Sequence, residues 1–307
     1  ADTVVGNIGD DVVVGGAAGD TVEGNGGNDV LVGDNARFDF VAVAGGDGPT
    51  ALALAQTTSP AVGAADAIFG GAGSDTAFGG QAGDQIDAGE GDNVVFGDEG
   101  RIAYAADGNL ADIDLLESLS TAAVGADTDP GDLDLIESLS TTLFGGADTI
   151  TTGAGSDLVI GGRHGDVIGV GAGNNLVLGD SGRVTAASTD GPQLAGIPMT
   201  FGLIETVSSE DGGADGITAG VGRDIILGGQ GADTIVANAL EDATTPDAGN
   251  LVLGDNGLLD YTRADRLATA GADTDPSDLD LVASVDVAIG GADAITTGDG
   301  SDLVVGG

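Results

Sequence analysis

Eighteen oxygen-bearing side chains recur in this 307-residue chain at a basic spacing of nine. They form runs: Asp2, Asp11, Asp20 and Asp29; Asp66, Asp75, Asp84 and Asn93; Asp148, Asp157, Asp166 and Asn175; Asp215, Asp224, Asp233 and, after a short insertion, Asn250; then Asp293 and Asp302. The unit around each reads G-G-x-G-x-D-x-U-x with U aliphatic, as in "GGAGSDTAF" from Gly70 and "GGQGADTIV" from Gly228. Glycine permits the crowded backbone of a tight turn and lets carbonyl oxygens face inward. A carboxylate beside such carbonyls is an all-oxygen donor set. That set suits Ca²⁺ better than Mg²⁺, which needs stricter geometry, or Zn²⁺, which takes nitrogen and sulfur. An aspartate can also simply cap its own turn, but capping accepts Asn, Ser and Gly equally well. Here Asp holds 15 of the 18 positions, and the three exceptions are all Asn at block ends. A neutral amide oxygen is the weaker ligand, so block ends are expected to hold weaker ions or none.

The residues after each aspartate must position these carboxylates. The x-U-x segment reads as a three-residue strand, with U pointing inward and its neighbours outward. In the third run the inward residues are Ile150, Val159, Ile168 and Val177, and Ala77 is the weakest case in the chain. Two units close one coil, with their aspartates on opposite edges, so a four-unit block makes about two coils. The unit resembles the calcium-binding nonapeptide of the RTX, or hemolysin-type, repeat family over roughly half of the chain. The match is degenerate at "GGRHGDVIG" from Gly161, where His164 stands in place of a glycine. The resemblance implies an all-β fold: a calcium-binding parallel β-roll or β-solenoid of stacked nonapeptide blocks. It also implies multiple Ca²⁺ ions and a secreted, extracellular or cell-surface protein exported by a type I-like route.

Composition agrees. There are 51 acidic residues against seven basic ones, all Arg, for a net charge of -44. Aspartate dominates the acidic set. Such a chain has no basic face for nucleic acid, and anionic membrane surfaces repel it. Stacked coils bring carboxylates into ladders whose repulsion opposes folding until counter-ions arrive. A site that binds only the folded chain adds about 1.4 kcal/mol at tenfold saturation, so roughly ten sites would rival the whole stability of a domain. The chain is expected to stay unfolded where calcium is low and to fold outside the cell. No apolar run is long enough to span a bilayer as a helix. Cysteine is absent, which removes disulfides and thiolate metal sites. Both termini fall within repeat units, as expected of a piece of a longer protein.

The blocks alternate with excursions. Repeat blocks are expected at 1–36, 62–100, 144–183, 211–257 and, truncated, 289–307, with insertions at 37–61, 101–143, 184–210 and 258–288. Blocks close on "GDNAR", "GDEGR", "GDSGR" and "GDNGL", which hold Asp34, Asp98, Asp180 and Asp255. These four aspartates complete a terminal ion site or make a turn. Arg37, Arg101 and Arg183 recur at one position and pair with those carboxylates or lie on the surface; the fourth copy has Leu258 there. The insertions open as strands ("RFDFVAVA", "RIAYAA", "RVTAAS") and are expected to fold as hairpins against the side of the roll. "DIDLLESLST" at Asp112 is duplicated as "DLDLIESLST" at Asp132; strand or short helix fits, and strand is preferred. The loops "GADTDPGDLD" at Gly125 and "GADTDPSDLD" at Gly271 do not fit an EF-hand; each is another calcium site or a solvated Asp-Pro turn.

Catalytic chemistry has little to work with. His164 is the only histidine, which removes an HExxH zinc site and makes a Ser-His-Asp triad implausible. It reads as a turn substitution. The expected role is therefore non-enzymatic: a calcium-rigidified stalk or extender of a surface adhesin. The alternatives are a self-assembling subunit of an extracellular filament, sheath or surface layer, and a folding or secretion appendage of a secreted enzyme. The expected partners are calcium and further copies of the same repeat or chain.

Overall fold

The structure, a computed structural model, describes residues 1–41, 51–104, 133–139, 143–187, 191, 193, 196, 199–239, 241, 248–263 and 275–307. The duplicate copy at Asp112, the first eight residues of the loop at Gly125 and the first four of the loop at Gly271 lie outside these residues. Glycine-rich turns keep most repeat strands to three residues. An outer sheet stacks nine parallel strands in chain order: Thr3–Ile8, Thr21–Gly26, Ala67–Ala72, Gln85–Asp87, Thr149–Thr151, Val167–Gly169, Gly216–Thr218, Thr234–Val236 and Ala294–Thr296. A middle sheet stacks the alternate nine: Val12–Val14, Val30–Val32, Thr76–Phe78, Val94–Phe96, Leu158–Gly162, Leu176–Asp180, Ile225–Leu227, Leu251–Leu253 and Leu303–Val305. The register places one U residue over the next, as in Ile86, Ile150 and Ile168. All blocks thus share one uninterrupted stack of nine coils with open sheets, the β-roll that the resemblance implies.

The excursions build a third layer. Each folds as an antiparallel hairpin: Ala36–Val41 with Ala51–Thr57, Gly100–Ala103 with Leu135–Ser138, Gly182–Ala186 with Phe201–Thr206, and Gly257–Asp260 with Leu281–Ser284. Successive hairpins pair edge to edge into one eight-stranded cover sheet. The copy at Asp132 supplies Leu135–Ser138, so the described duplicate is a strand. From Asp275 the Asp-Pro loop makes a turn, the Ser277 amide donating to Asp275 Oδ1 at 3.0 Å.

Two cores follow. Val22, Ile68, Ile86, Ile150, Ile168, Ile217 and Ile235 meet Leu31, Val95, Val159, Val177, Ile226 and Val252 between the outer and middle sheets. Ala77 is buried there too. The expectation that U's neighbours face solvent needs correction for the middle sheet. Phe78, Phe96, Leu158, Ile160, Leu176, Leu178, Ile225 and Leu227 are buried on its far side against Ile102, Ile136, Val184, Ile204 and Leu259 of the cover sheet. Phe78 and Phe96 stack with ring centroids 4.8 Å apart. Each such side chain gains about 1.5–3 kcal/mol by leaving water, so the hairpins are bonded to the roll by a full apolar layer. Among the described residues the outer sheet has no such cover, and Thr149, Thr151 and Val167 are exposed on it.

The arginines also need correction. Arg37, Gln56, Arg101, Glu137, Arg183, Glu205, Leu258 and Ala283 line up across the cover sheet by strand register. Arg101 pairs with Glu137, and Arg183 pairs with Glu205 and, at 3.5 Å, with Glu137. Arg37 pairs with Asp39 at 2.5 Å. They do not pair with Asp34, Asp98 or Asp180, because those carboxylates turn into the roll. Leu258 stands where the row ends beside Ala283, with no acidic neighbour across that strand pair.

Candidate metal centres along the two turn edges

Every coil has two turns. On one edge the chain passes from a middle strand to the next outer strand, and the four excursions leave from this edge. It carries Asp2, Asp20, Asp66, Asp84, Asp148, Asp166, Asp215, Asp233 and Asp293. On the other, plain edge the chain passes from an outer to a middle strand. That edge carries Asp11, Asp29, Asp75, Asn93, Asp157, Asn175, Asp224, Asn250 and Asp302. All 18 residues thus fall into two columns, with every Asn on the plain edge.

One oxygen of each side chain is structural. On the excursion edge the amide of each aspartate donates to Oδ1 of the next aspartate down the column, from Asp2 to Asp293, at 2.5–2.9 Å. The plain edge repeats the ladder through Asp and Asn alike at 2.8–3.0 Å.

The second oxygen is different. Oδ2 of Asp29, Asp66, Asp75, Asp84, Asp148, Asp166, Asp215, Asp233 and Asp293 is buried and, among the described residues, has no hydrogen-bond donor. It lies in a cradle left open by a glycine two places after the preceding inward U residue. A methyl built on Gly79 or Gly161 would lie 2.5 Å from Oδ2 of Asp84 or Asp166, and one on Gly228 would lie 2.6 Å from Asp233 Oδ2. It would also meet the carbonyl of Gly97, Gly179 or Gly254 in the next coil. The cradle therefore gathers a carboxylate oxygen and a carbonyl oxygen from consecutive coils with no proton between them.

Asparagine reports on the same space. The Asn93 amide nitrogen, which replaces Oδ2, donates to the carbonyls of Gly91 at 2.9 Å and Gly89 at 3.2 Å. Asn175 does likewise with Gly171 and Gly173, at 3.3 and 3.4 Å. An aspartate in that turn has an oxygen facing those carbonyls, an arrangement that a cation resolves. Among the described residues no three Asp, Glu or His side chains converge on one point; the donor set is one carboxylate with main-chain carbonyls. These residues fit a hard, oxygen-seeking cation of the calcium type.

Electrostatics agrees. Burial, helped by neighbouring carboxylates, pushes Asp66 to about 7, Asp84 to about 10, Asp215 to about 8 and Asp233 to about 7. Asp148 and Asp166 are raised by burial as well. The plain edge is milder: Asp75 and Asp157 reach about 6, again through burial. Without a counter-ion the excursion edge resists ionisation.

Backbone amides hold the carboxylates of Asp34, Asp98, Asp180 and Asp255 at turns. Asp34 accepts from Ala64 at 3.2 Å and Gln81 at 2.7 Å, and Asp98 from Gly146 at 2.7 Å and Arg163 at 2.5 Å. Asp180 accepts from Gly213 at 2.9 Å and from Gln230, and Asp255 from Gly291 at 2.8 Å. Each clasps the point where its excursion re-enters the roll. His164 is exposed in a turn with φ 77°, like Ala82 at φ 75° in the equivalent place, consistent with a turn substitution.

The residue before each aspartate is a feature that the nine-residue cycle alone hides. On the plain edge Asn28, Ser74, Asp92, Ser156 and Asn174 form a second ladder, each amide donating to the preceding coil's side chain at 2.7–3.3 Å. On the excursion edge the same place holds only Ala or Gly, as at Gly19, Ala65, Gly83 and Ala147. Comparing alternate units, rather than all units, exposes this difference in the sequence.

The profile of the RTX calcium-binding nonapeptide repeat matches residues 1–35, 63–101, 144–182 and 211–242. The chain carries RTX calcium-binding repeats. Residues 289–307 lie outside the four matches, yet Ala294–Thr296 and Leu303–Val305 extend both sheets of the roll. No curated protein matches the chain. No helix among the described residues is long and apolar enough to cross a membrane.

Proposed function

We propose that this RTX region is a calcium-rigidified stalk or extender of a large secreted or cell-surface adhesin. One observation carries the reading: donor-less Asp Oδ2 atoms sit opposite next-coil carbonyls, coil after coil, along a single stack. Cations there would neutralise the ladder and tie each coil to the next, making stiffness depend on calcium. Nine coils at about 4.8 Å each give a rod segment roughly 40 Å long, and the cover sheet thickens it. Catalysis has no part in this role, and its partners are calcium and further copies of the repeat. Repeats of this type are typical of secreted bacterial proteins, which supports an extracellular location.

Assembly into a filament, sheath or surface layer is the second reading, because a solenoid end stacks on its like. Electron microscopy of calcium-loaded protein separates the two. Single rods support the stalk, and ordered polymers support assembly. A catalytic domain beside these repeats in the full-length chain would instead favour a folding or secretion appendage of an enzyme.

A further inference from the structure

We infer that the cation line is one-sided: it runs unbroken along the excursion edge but is interrupted on the plain edge from the fourth coil, where Asn93, Thr152, Asn175 and Asn250 supply protons in the cation's place. This rests on the calcium reading of the cradles above.

The residue two places after each inward U decides it. On the excursion edge that residue is glycine in every coil: Gly15, Gly33, Gly79, Gly97, Gly161, Gly179, Gly228 and Gly254. Each leaves the space that its aspartate's Oδ2 and the next carbonyl share. On the plain edge only Gly6, Gly24 and Gly70, which precede Asp11, Asp29 and Asp75, keep it open. From the fourth coil the position becomes Ala88, Thr152, Val170, Ala219, Ala237 and Thr297. A side chain now occupies the space that glycine leaves empty elsewhere.

The polar atoms change in step. From Asp75 the plain column alternates Asp75, Asn93, Asp157, Asn175, Asp224, Asn250, Asp302. Each Asn keeps the structural Oδ1 contact and turns its amide nitrogen inward. Asn93 reaches two carbonyls of its own turn and, at 3.0 Å, Asp157 Oδ1 of the next coil. Asn175 repeats this with Asp224 Oδ1 at 2.9 Å. Asn250 donates to the carbonyls of Ala237 at 2.9 Å and Thr297 at 3.3 Å. The intervening Asp157 is answered differently: Thr152 donates its hydroxyl to Oδ2 at 2.7 Å. The amide and hydroxyl protons supply the positive charge density that a cation supplies on the other edge. The second ladder of Asn, Ser and Asp side chains then holds the plain-edge turns together.

The outcome is a roll with a cation-dependent edge, from which the excursions project, and a largely cation-independent edge. Amide variants of the whole chain test it. Bound calcium per chain is counted by equilibrium dialysis with elemental analysis, and circular dichroism in saturating calcium checks the fold. Asp84→Asn and Asp166→Asn are each expected to lose about one ion per chain, and Asp157→Asn none. Ala88→Gly with Asn93→Asp, and Val170→Gly with Asn175→Asp, reopen two cradles and are expected to raise the count. An Asp157→Asn loss equal to that of Asp166→Asn, in chains that keep their fold, overturns the one-sided assignment while leaving the calcium reading intact. A wild-type chain that binds no calcium overturns the calcium reading itself, and this inference with it.

Discussion

Asp84 and Asp148 are 64 residues apart in sequence, yet the Asp84 amide donates to Asp148 Oδ1 at 2.6 Å. An entire excursion, 101–143, leaves and returns between them, so this contact joins two blocks into one column. The same pair carries the problem that calcium answers, since the carboxylates repel and burial raises both. A ladder of this kind is stacked by its Oδ1 atoms and opposed by its charge.

Removing a clasp should cost stability without costing calcium. Asp98 holds the amides of Gly146, at the re-entry of the second excursion, and of Arg163, in the turn after Leu158–Gly162. Asp98→Ala leaves one buried and one half-buried donor unpaired, a loss of about 2 kcal/mol. Denaturant unfolding in saturating calcium should detect that loss, while calcium counted per chain stays at the wild-type value. A lower count would return Asp98 to the ligand set.

The calcium-free chain should be more stable in acid. For Asp66, Asp84, Asp215 and Asp233 the folded-state value lies above 3.8, at about 7 to 10. The folded state therefore holds protons more tightly than the unfolded chain, and the stabilisation is complete below the ordinary carboxylate range. It is lost as pH rises through about 7 to 10. In chelator, thermal melts should show higher stability at acidic pH than above neutrality. Stability that climbs with pH would contradict the burial of these carboxylates.

The buried ion pair of the cover sheet offers a third test. Arg101 is 2% exposed and pairs with Glu137. Glu137→Ala strands the guanidinium, at a cost of about 3 kcal/mol. The expected result is a lower unfolding midpoint, with less effect from Asp39→Ala at the exposed Arg37 pair.

His164 and Ala82 occupy the left-handed region, where a non-glycine residue costs about 1–2 kcal/mol. Ala82→Gly and His164→Gly should each raise stability by up to about 1 kcal/mol, read as a shift of the denaturation midpoint. Destabilisation at His164 would mean that its side chain does more than fill a turn.

The nine-residue cycle made the roll legible because each unit is local: the turn, the carboxylate and the inward residue lie within nine positions. Ile150 and Val159 could be assigned to the core on that basis. The cover sheet was harder to read, because its pairs form between successive hairpins, as when Arg101 meets Glu137. A signal for it was present. Middle strands read "VVF", "LVI" and "LVL", apolar throughout, whereas outer strands read "QID", "TIT" and "GIT". A strand apolar on both faces needs a second cover. Averaging all units into one consensus blurred that contrast. It also blurred the difference between Gly79 on one edge and Ala88 on the other, which separates open cradles from closed ones.

A calcium titration of the chelated chain near neutral pH, followed by far-ultraviolet circular dichroism and sedimentation velocity, tests the central claim most directly. The account predicts an unfolded, expanded chain that gains strand signal and compacts cooperatively with calcium, and not with magnesium at the same concentration. A chain with the same strand content and sedimentation coefficient in chelator as in calcium would contradict it.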